Sequence, residues 1–196
     1  MNKAIIVTFG RFQPPTTGHT LLIERVLTEA RNQNAEHSIH ASQSQDPKKN
    51  PLPWKEKIQY MKKMFPKANI STDQEAKTIF VVLKKLDTIG YQDVTLIVGS
   101  DRVSEFKSQI SKYIRHSDPR LSYNFTNFNV VSAGERDPDA EDVSGMSASK
   151  MRALATEGNF MEFAKGVPDT MKLLEKLEMM NTLRKHMGLK EIKCGK

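Results

Sequence analysis

The sequence predicts an α/β protein: a doubly wound parallel sheet with helices on both faces and a helical C-terminal segment. Three observations predict it. Short apolar runs alternate with helical stretches of about 10–15 residues, the signature of βαβ units. The first run, residues 4–10, leads through a glycine and a Pro-Pro turn straight into a helical repeat. From residue 147 onward the pattern is helical only.

Taken in order, Ala4-Ile-Ile-Val-Thr-Phe-Gly10 reads as a buried strand. Ile23, Val26, Leu27 and Ala30 then fall at i, i+3, i+4 and i+7, one face of a helix. Residues 37–42 read as a second strand, and 43–53, with three prolines, as a loop. A helix is expected from Trp54 to Phe65, ended by Pro66. Residues 69–71 suggest a short strand. A helix is expected over 75–89, stopped by Gly90. Val94–Val98 is a buried strand that ends in Gly99-Ser100-Asp101. A helix over 103–114 and a strand over 123–131 follow. Residues 133–145 form an acidic loop, in which Glu135–Asp142 reads as a solvated run and not as a metal site. Helices fill the remainder, interrupted near Gly158 and Gly166-Val167-Pro168.

At 196 residues, with 38% hydrophobic and 27% charged content, one globular domain is expected. It divides into an α/β core over 1–146 and a helical segment over 147–196. No run of about 18 apolar residues suggests a membrane span. The first residues enter a strand without a signal-peptide stretch. The single cysteine, Cys194, excludes an intrachain disulfide and a cysteine-rich metal site. The five histidines show no His-x-x-x-His spacing, so zinc catalysis is not expected. These features lead to an expectation of a soluble, cytoplasmic protein with no membrane partner.

Residues 48–67 concentrate the positive charge, with seven lysines against one glutamate. The plain reading is a solvated helix face. The sharper one is an electrostatic lip for a polyphosphate. Nucleic acid is not the expected partner, because arginines and aromatics do not interleave along this stretch.

Two stretches are suited to phosphate chemistry. Thr16-Thr17-Gly18-His19 sits where a strand–loop–helix unit begins its helix, and free N–H groups at a helix start favour an anion. Met146-Ser147-Ala148-Ser149-Lys150-Met151-Arg152 repeats the idea. Ser147 is a preferred N-cap, and two hydroxyls, a lysine and an arginine lie in the first turns.

These residues resemble the nucleotidylyltransferase superfamily, whose hallmark is a Thr/His-x-Gly-His tetrapeptide near the N-terminus. The lead-in Gly10-Arg11-Phe12-Gln13-Pro14 looks most like the nicotinamide-mononucleotide adenylyltransferase branch. The Pro-Pro-Thr-Thr-Gly-His wording looks like that of phage-encoded members. Residues 146–152 resemble the superfamily's Ile-Ser-Ser-Thr-x-Ile-Arg motif, with Ser147 and Arg152 matching outright and Ser149 keeping a hydroxyl. Asn50 to Lys57 resembles the Asn-Pro-Phe-Thr-x-x-Glu-Arg stretch of archaeal-type members, with Lys57 in place of arginine. Gly99-Ser100-Asp101 occupies the place of a Gly-(Ser/Asn)-Asp turn, and Gly166-Val167-Pro168 resembles the closing Gly-Val-Pro stretch. The resemblance spans residues 4 to about 177 and implies a Rossmann-like fold.

It also implies a reaction. A phosphate oxygen of an acceptor attacks the α-phosphorus of a nucleoside triphosphate, and pyrophosphate leaves. The nucleophile is already anionic, so positioning and charge stabilisation suffice. An isolated histidine after glycine is ordinarily a cap or a surface group; here the flanking motif makes His19 a donor to the α-phosphate. Thr16 replaces the more common histidine and could give one hydrogen bond to a phosphate. Lys150 and Arg152 are expected to neutralise the departing pyrophosphate. Gly10, Arg11, Phe12, Gly18, Gly99, Ser100, Asp101, Ser147 and Ser149 are the expected nucleotide contacts. Lys57, Trp54, Asp101 and Arg102 are the expected acceptor contacts, with Lys57 pairing with the acceptor phosphate. Mg²⁺ is expected to arrive with ATP, held mostly by phosphate and water. The Gly-Arg-Phe-Gln lead-in favours ATP, since cytidylyltransferases typically begin Gly-Thr-Phe-Asp. A phosphorylated metabolite such as nicotinamide mononucleotide is the expected acceptor. A CTP-dependent enzyme and a non-catalytic nucleotide-binding module are the alternatives. A class I aminoacyl-tRNA synthetase is set aside, because the chain has no room for an anticodon-binding region. Homo-oligomerisation is left open.

Overall fold

The computed structural model describes residues 3–134 and 146–193. The acidic run Glu135–Asp142 and Cys194 lie outside the described residues. The chain divides into two compact units, each assembled from separate stretches of sequence. The first takes Met1–Gly10, Leu21–His40 and Ala68–Arg136; the second takes Arg11–Thr20, Ala41–Lys67 and Asp137–Lys196.

The first unit carries the parallel sheet, built from β1 (Ala4–Gly10), β2 (Glu36–Ala41), β3 (Asp93–Val98) and β4 (Asn127–Ser132). Their spatial order is β2-β1-β3-β4. Its helices are α1 (Thr20–Asn32), α3 (Ile79–Ile89) and α4 (Val103–Ser111), with α2 (Trp54–Met64) intervening in sequence and belonging to the second unit. The right-handed crossover rule predicts α1 on one face for the step from β1 to β2 and α3 on the other for the step from β2 across to β3.

Side-chain alternation bears this out. Ile5 and Val7 pair with Val94 and Leu96, which pair in turn with Phe128 and Val130. This face packs with Ile79, Val82, Leu83 and Leu86 of α3 and Ile110 of α4. Ile6 and Ile97 point the opposite way and are buried, as are Ile23, Val26 and Ala30 of α1. The strand order reverses direction between β1 and β3. In open α/β sheets a ligand crevice forms at such a point, outside the carboxyl ends of the strands. Gly10 and the residues from Gly99 onward stand at those two ends.

Several elements differ from expectation, and α4 ends at Ser111, three residues short of the expected 114. Helix α3 begins at Ile79, not at residue 75, because the Thr78 side chain caps it by accepting the Val81 N–H at 3.3 Å. The strand expected from 123 begins at Asn127, because Tyr123 instead gives its N–H to the Tyr113 carbonyl at 2.7 Å. Residues 69–71 form only a bridge, Ile70 lying beside Ile39 of β2.

The second unit holds α2, α5 (Ala148–Glu157), α6 (Phe160–Lys165) and α7 (Leu173–His186). Its core is rich in methionine: Met61, Met64, Met146, Met151, Met171, Met179 and Met180 are all buried. Such flexible thioethers fill irregular gaps between short helices. Helix α2 is tied to α7 by Tyr60 with Thr182 at 2.8 Å, Lys63 with Glu175 at 2.8 Å and Glu56 with His186 at 3.1 Å. Gly158 ends α5 in the left-handed conformation, φ +75°, where a side chain would be strained. Among the described residues no helix is long and apolar enough to cross a membrane.

Candidate active site

Both motifs belong to the second unit, and the structure brings them together. Thr17–His19 forms one turn of 3₁₀ helix leading into α1. Thr16 precedes it in extended conformation and is fully buried. Its main-chain N–H donates to Nδ1 of His19 at 3.0 Å, and its hydroxyl donates to the Met146 carbonyl at 2.8 Å. The sequence reading gives Thr16 a direct phosphate contact. The structure turns its hydroxyl inward and uses it to join the two motifs.

The first of these bonds bears on the tautomer of His19. A backbone N–H cannot accept, so Nδ1 must be the lone-pair nitrogen and the imidazole proton sits on Nε2. The histidine is therefore a cap through one nitrogen and a donor through the other. Its ring lies against Phe12, with centroids 4.8 Å apart. Phe12 is buried and has φ +46°, a sparsely populated conformation for a non-glycine residue.

The second motif opens as α5. Ser147 caps it by accepting the Lys150 N–H at 3.0 Å. Ser149 and Lys150 are exposed, and Arg152 is half-buried. The Arg152 guanidinium donates to the Gln13 carbonyl at 2.6 Å and to Ser149 Oγ at 3.1 Å. Of its five N–H donors, three remain without a partner among the described residues. Burial and the neighbouring positive charge of Arg11 pull the Arg152 pKa down, partly opposed by Asp46. Two guanidinium groups held near each other suit an anion of high charge.

The loop from 11 to 17 is pinned along its length. The Gln13 side chain accepts the Leu52 N–H at 2.9 Å and donates to the Leu52 carbonyl at 2.8 Å. Thr17 gives its N–H to the Gly166 carbonyl at 2.9 Å. A Cβ on Gly166 would lie 2.2 Å from Met151 Sδ and 3.2 Å from Met146 Cγ. The glycine thus lets the closing stretch pack directly on α5. The sequence places Gln13, Met146 and Gly166 inside recognisable stretches but gives none of them a role in the site. The only signal for Gln13 was its place in the Gly-Arg-Phe-Gln-Pro stretch.

Lys57 departs furthest from expectation. It has no exposed surface, and its ammonium donates to the Arg11 carbonyl at 2.8 Å and the Ser42 carbonyl at 2.6 Å. Burial lowers its pKa from 10.5 to about 7. It faces two main-chain carbonyls, not a solvent-open phosphate site. Trp54 opens α2 and is half-buried. Lys48 and Lys49 stay exposed on a turn closed by Asp46, whose carboxylate accepts both their N–H groups and the Asn50 amide. Those bonds hold the Asp46 pKa below the usual carboxylate range.

In the first unit, Ser100–Arg102 forms a 3₁₀ turn after β3. A Cβ at Gly99 would lie 2.7 Å from the Asp101 carboxylate, so glycine leaves room for that side chain to fold back. Arg102 is paired with Glu105 at 2.7 Å and lies over the Phe106 ring. That surface pair competes with its expected acceptor contact. Gly10 ends β1, and Gly18 lies within the 3₁₀ turn.

The cytidylyltransferase-like family profile matches residues 7–154, three quarters of the chain and both motifs. The chain belongs to the cytidylyltransferase-like family. Among solved structures, it is similar to Plasmodium falciparum nicotinic acid mononucleotide adenylyltransferase complexed with APC. The identity is 15%, with 92% of this chain and 98% of that one covered and a TM-score of 0.58. It is also similar to Thermotoga maritima TmcAL bound with alpha-thio ATP, at 13% identity, 90% and 55% coverage and a TM-score of 0.48. A search of curated proteins finds no match. The first likeness supports the Rossmann-like fold.

Proposed function

We propose that the protein is a nucleotidyltransferase that moves AMP from ATP onto a phosphorylated small-molecule acceptor and releases pyrophosphate. One observation carries the reading: Thr16 holds a neutral, Nε2-protonated His19 and the start of α5 from a single residue. His19 would donate to the α-phosphate as negative charge builds there. Arg11, Arg152, Lys150 and the hydroxyl of Ser149 would receive the β- and γ-phosphates. Charge-assisted hydrogen bonds of this kind are about twice as strong as neutral ones. Family membership supports nucleotidyl transfer. The Gly-Arg-Phe-Gln lead-in supports ATP over CTP, and the similar Plasmodium protein is an adenylyltransferase.

Mg²⁺ would come with the nucleotide. Among the described residues no group of three or more His, Cys, Asp or Glu side chains stands ready to hold a metal. Asp46, near Arg152, commits its carboxylate to residues 48–50. A metal carried by phosphates and water would offset triphosphate charge. The acceptor phosphate would meet the exposed Lys48 and Lys49 and the Trp54 end of α2.

The test is a matrix of nucleoside triphosphates against phosphorylated metabolites, nicotinamide mononucleotide and its acid included, read by pyrophosphate release. ATP-dependent release with one acceptor supports the reading. CTP preference would make the protein a cytidylyltransferase. Tight ATP binding without release for any acceptor would make it a binding module.

A further inference from the structure

We propose that Lys57 is a positioning residue for His19, acting through the Arg11–Phe12 peptide. The inference rests on the functional reading above. Lys57 donates to the Arg11 carbonyl at 2.8 Å, and that carbonyl belongs to the peptide that fixes one side of Phe12. Phe12 is held at φ +46°, a conformation that persists only when its surroundings impose it. Its ring in turn lies against the His19 imidazole. The second bond, to Ser42 at 2.6 Å, anchors the ammonium so that it cannot follow Arg11 if the loop relaxes.

The placement is unusual for a lysine. Burying an ammonium is costly, and apolar replacement of a buried charge is often neutral for stability. A lysine with no exposed surface, bonded among the described residues to two main-chain carbonyls, fits a role in geometry better than one in stability. Gln13 and Thr16 pin the same loop from either side of its middle. Neither of them bonds the Arg11–Phe12 peptide itself; among the described residues that bond comes from Lys57.

The experiment compares wild type, Lys57→Met, Phe12→Leu and the double variant. Three readouts are used: pyrophosphate release, ATP affinity by calorimetry, and amide hydrogen exchange over 11–19. Lys57→Met is expected to lower kcat on the order of tenfold, as misplacement of a catalytic group does. ATP affinity should change less than about threefold, since the triphosphate grip is elsewhere. Exchange over 11–19 should quicken. In the Phe12→Leu background the kcat loss should shrink, because the two side chains act in series. A folded Lys57→Met with wild-type kcat and exchange overturns the inference, and so does strict additivity with Phe12→Leu. Should Lys57→Met not fold, Lys57→Gln, whose amide reaches one carbonyl, is read by the same criteria. If wild type releases no pyrophosphate, the functional reading fails. The inference is then decided by exchange over 11–19 and by the His19 imidazole ¹⁵N shifts. Both move in Lys57→Met if Lys57 positions His19, and unchanged values overturn it.

Discussion

Thr16 gives its hydroxyl proton to the Met146 carbonyl at 2.8 Å, across 130 residues of sequence. The same residue gives its main-chain N–H to His19. Removing the hydroxyl alone tests the link between the motifs. Thr16→Val keeps shape and N–H, and leaves the Met146 carbonyl buried without a partner. The expected cost is about 1–3 kcal/mol of stability. ATP affinity should weaken because the start of α5 loosens, while Thr16→Ser restores both. Unaltered affinity in Thr16→Val, measured by calorimetry, would mean the hydroxyl does not set the position of α5.

His19 caps through Nδ1 and carries its proton on Nε2. His19→Ala should lower turnover by roughly 10²–10³, the loss expected for one preorganised donor to a developing oxyanion. His19→Gln, whose amide can donate from a similar place, should recover part of it. Steady-state pyrophosphate release decides the matter: a rate near wild type in a folded His19→Ala would leave His19 as a cap only.

The proposed function puts Arg152 and Lys150 at the end of the nucleotide that leaves. Each charge-assisted hydrogen bond is worth about 1.5–3 kcal/mol, so Arg152→Ala should weaken ATP binding by tenfold or more. AMP, which lacks the β- and γ-phosphates, should lose much less. Lys150, exposed at the first turn of α5, should show the same preference with a smaller loss. Titrations of both nucleotides against each variant give the ratio directly, and equal losses for ATP and AMP would refute the assignment.

His40 on β2 predicts acid sensitivity in the first unit. Its imidazole is buried, and burial pushes its pKa from 6.5 to about 4, with Asp73 raising and Lys85 lowering it further. The unfolded chain therefore binds the extra proton between about pH 6.5 and 4, and the folded protein does not. Stability should fall as pH drops through that window and level off below it. His40→Leu should flatten this part of the curve in urea titrations at fixed ionic strength. Retention of the full slope by the variant would assign the acid sensitivity to other groups.

The strands and both motifs could be read from sequence because their signals are local: apolar runs, a capping serine, a glycine before a histidine. The α3 start was misplaced because Glu75 and Thr78 both offer plausible openings, and only the Thr78–Val81 bond decides between them. The roles of Thr16 and Lys57 were not legible for a different reason. Polar residues beside a motif suited to phosphate read as ligands for phosphate. Whether they face outward depends on partners 130 and 46 residues away, the Met146 and Arg11 carbonyls. Spacing within a motif carries no information about such partners. Charge patterning misled in the same way. It counts Lys57 in one basic stretch with Lys48 and Lys49, and the motif then makes Lys57 the phosphate contact, although Lys57 is buried and the other two are exposed.

That difference leads to the last prediction. In the unfolded chain Lys57 holds its proton up to about pH 10.5, whereas in the folded protein it releases it near about 7. Below pH 7 both states are protonated, and the full penalty of burying the charge stands. Between 7 and 10.5 the unfolded state binds more protons, so stability attributable to this group rises with pH. Above 10.5 both states are neutral and the penalty has gone. Wild type should therefore gain stability relative to Lys57→Met as pH is raised from 7 to 9.5, with the gap constant from pH 5.5 to 6.5. Lys48→Met, which removes an exposed lysine from the same stretch, should track wild type throughout. Denaturant midpoints across the pH series measure this. Parallel curves for wild type and Lys57→Met would show that the ammonium stays protonated in the folded protein at every pH tested, held by the Arg11 and Ser42 carbonyls.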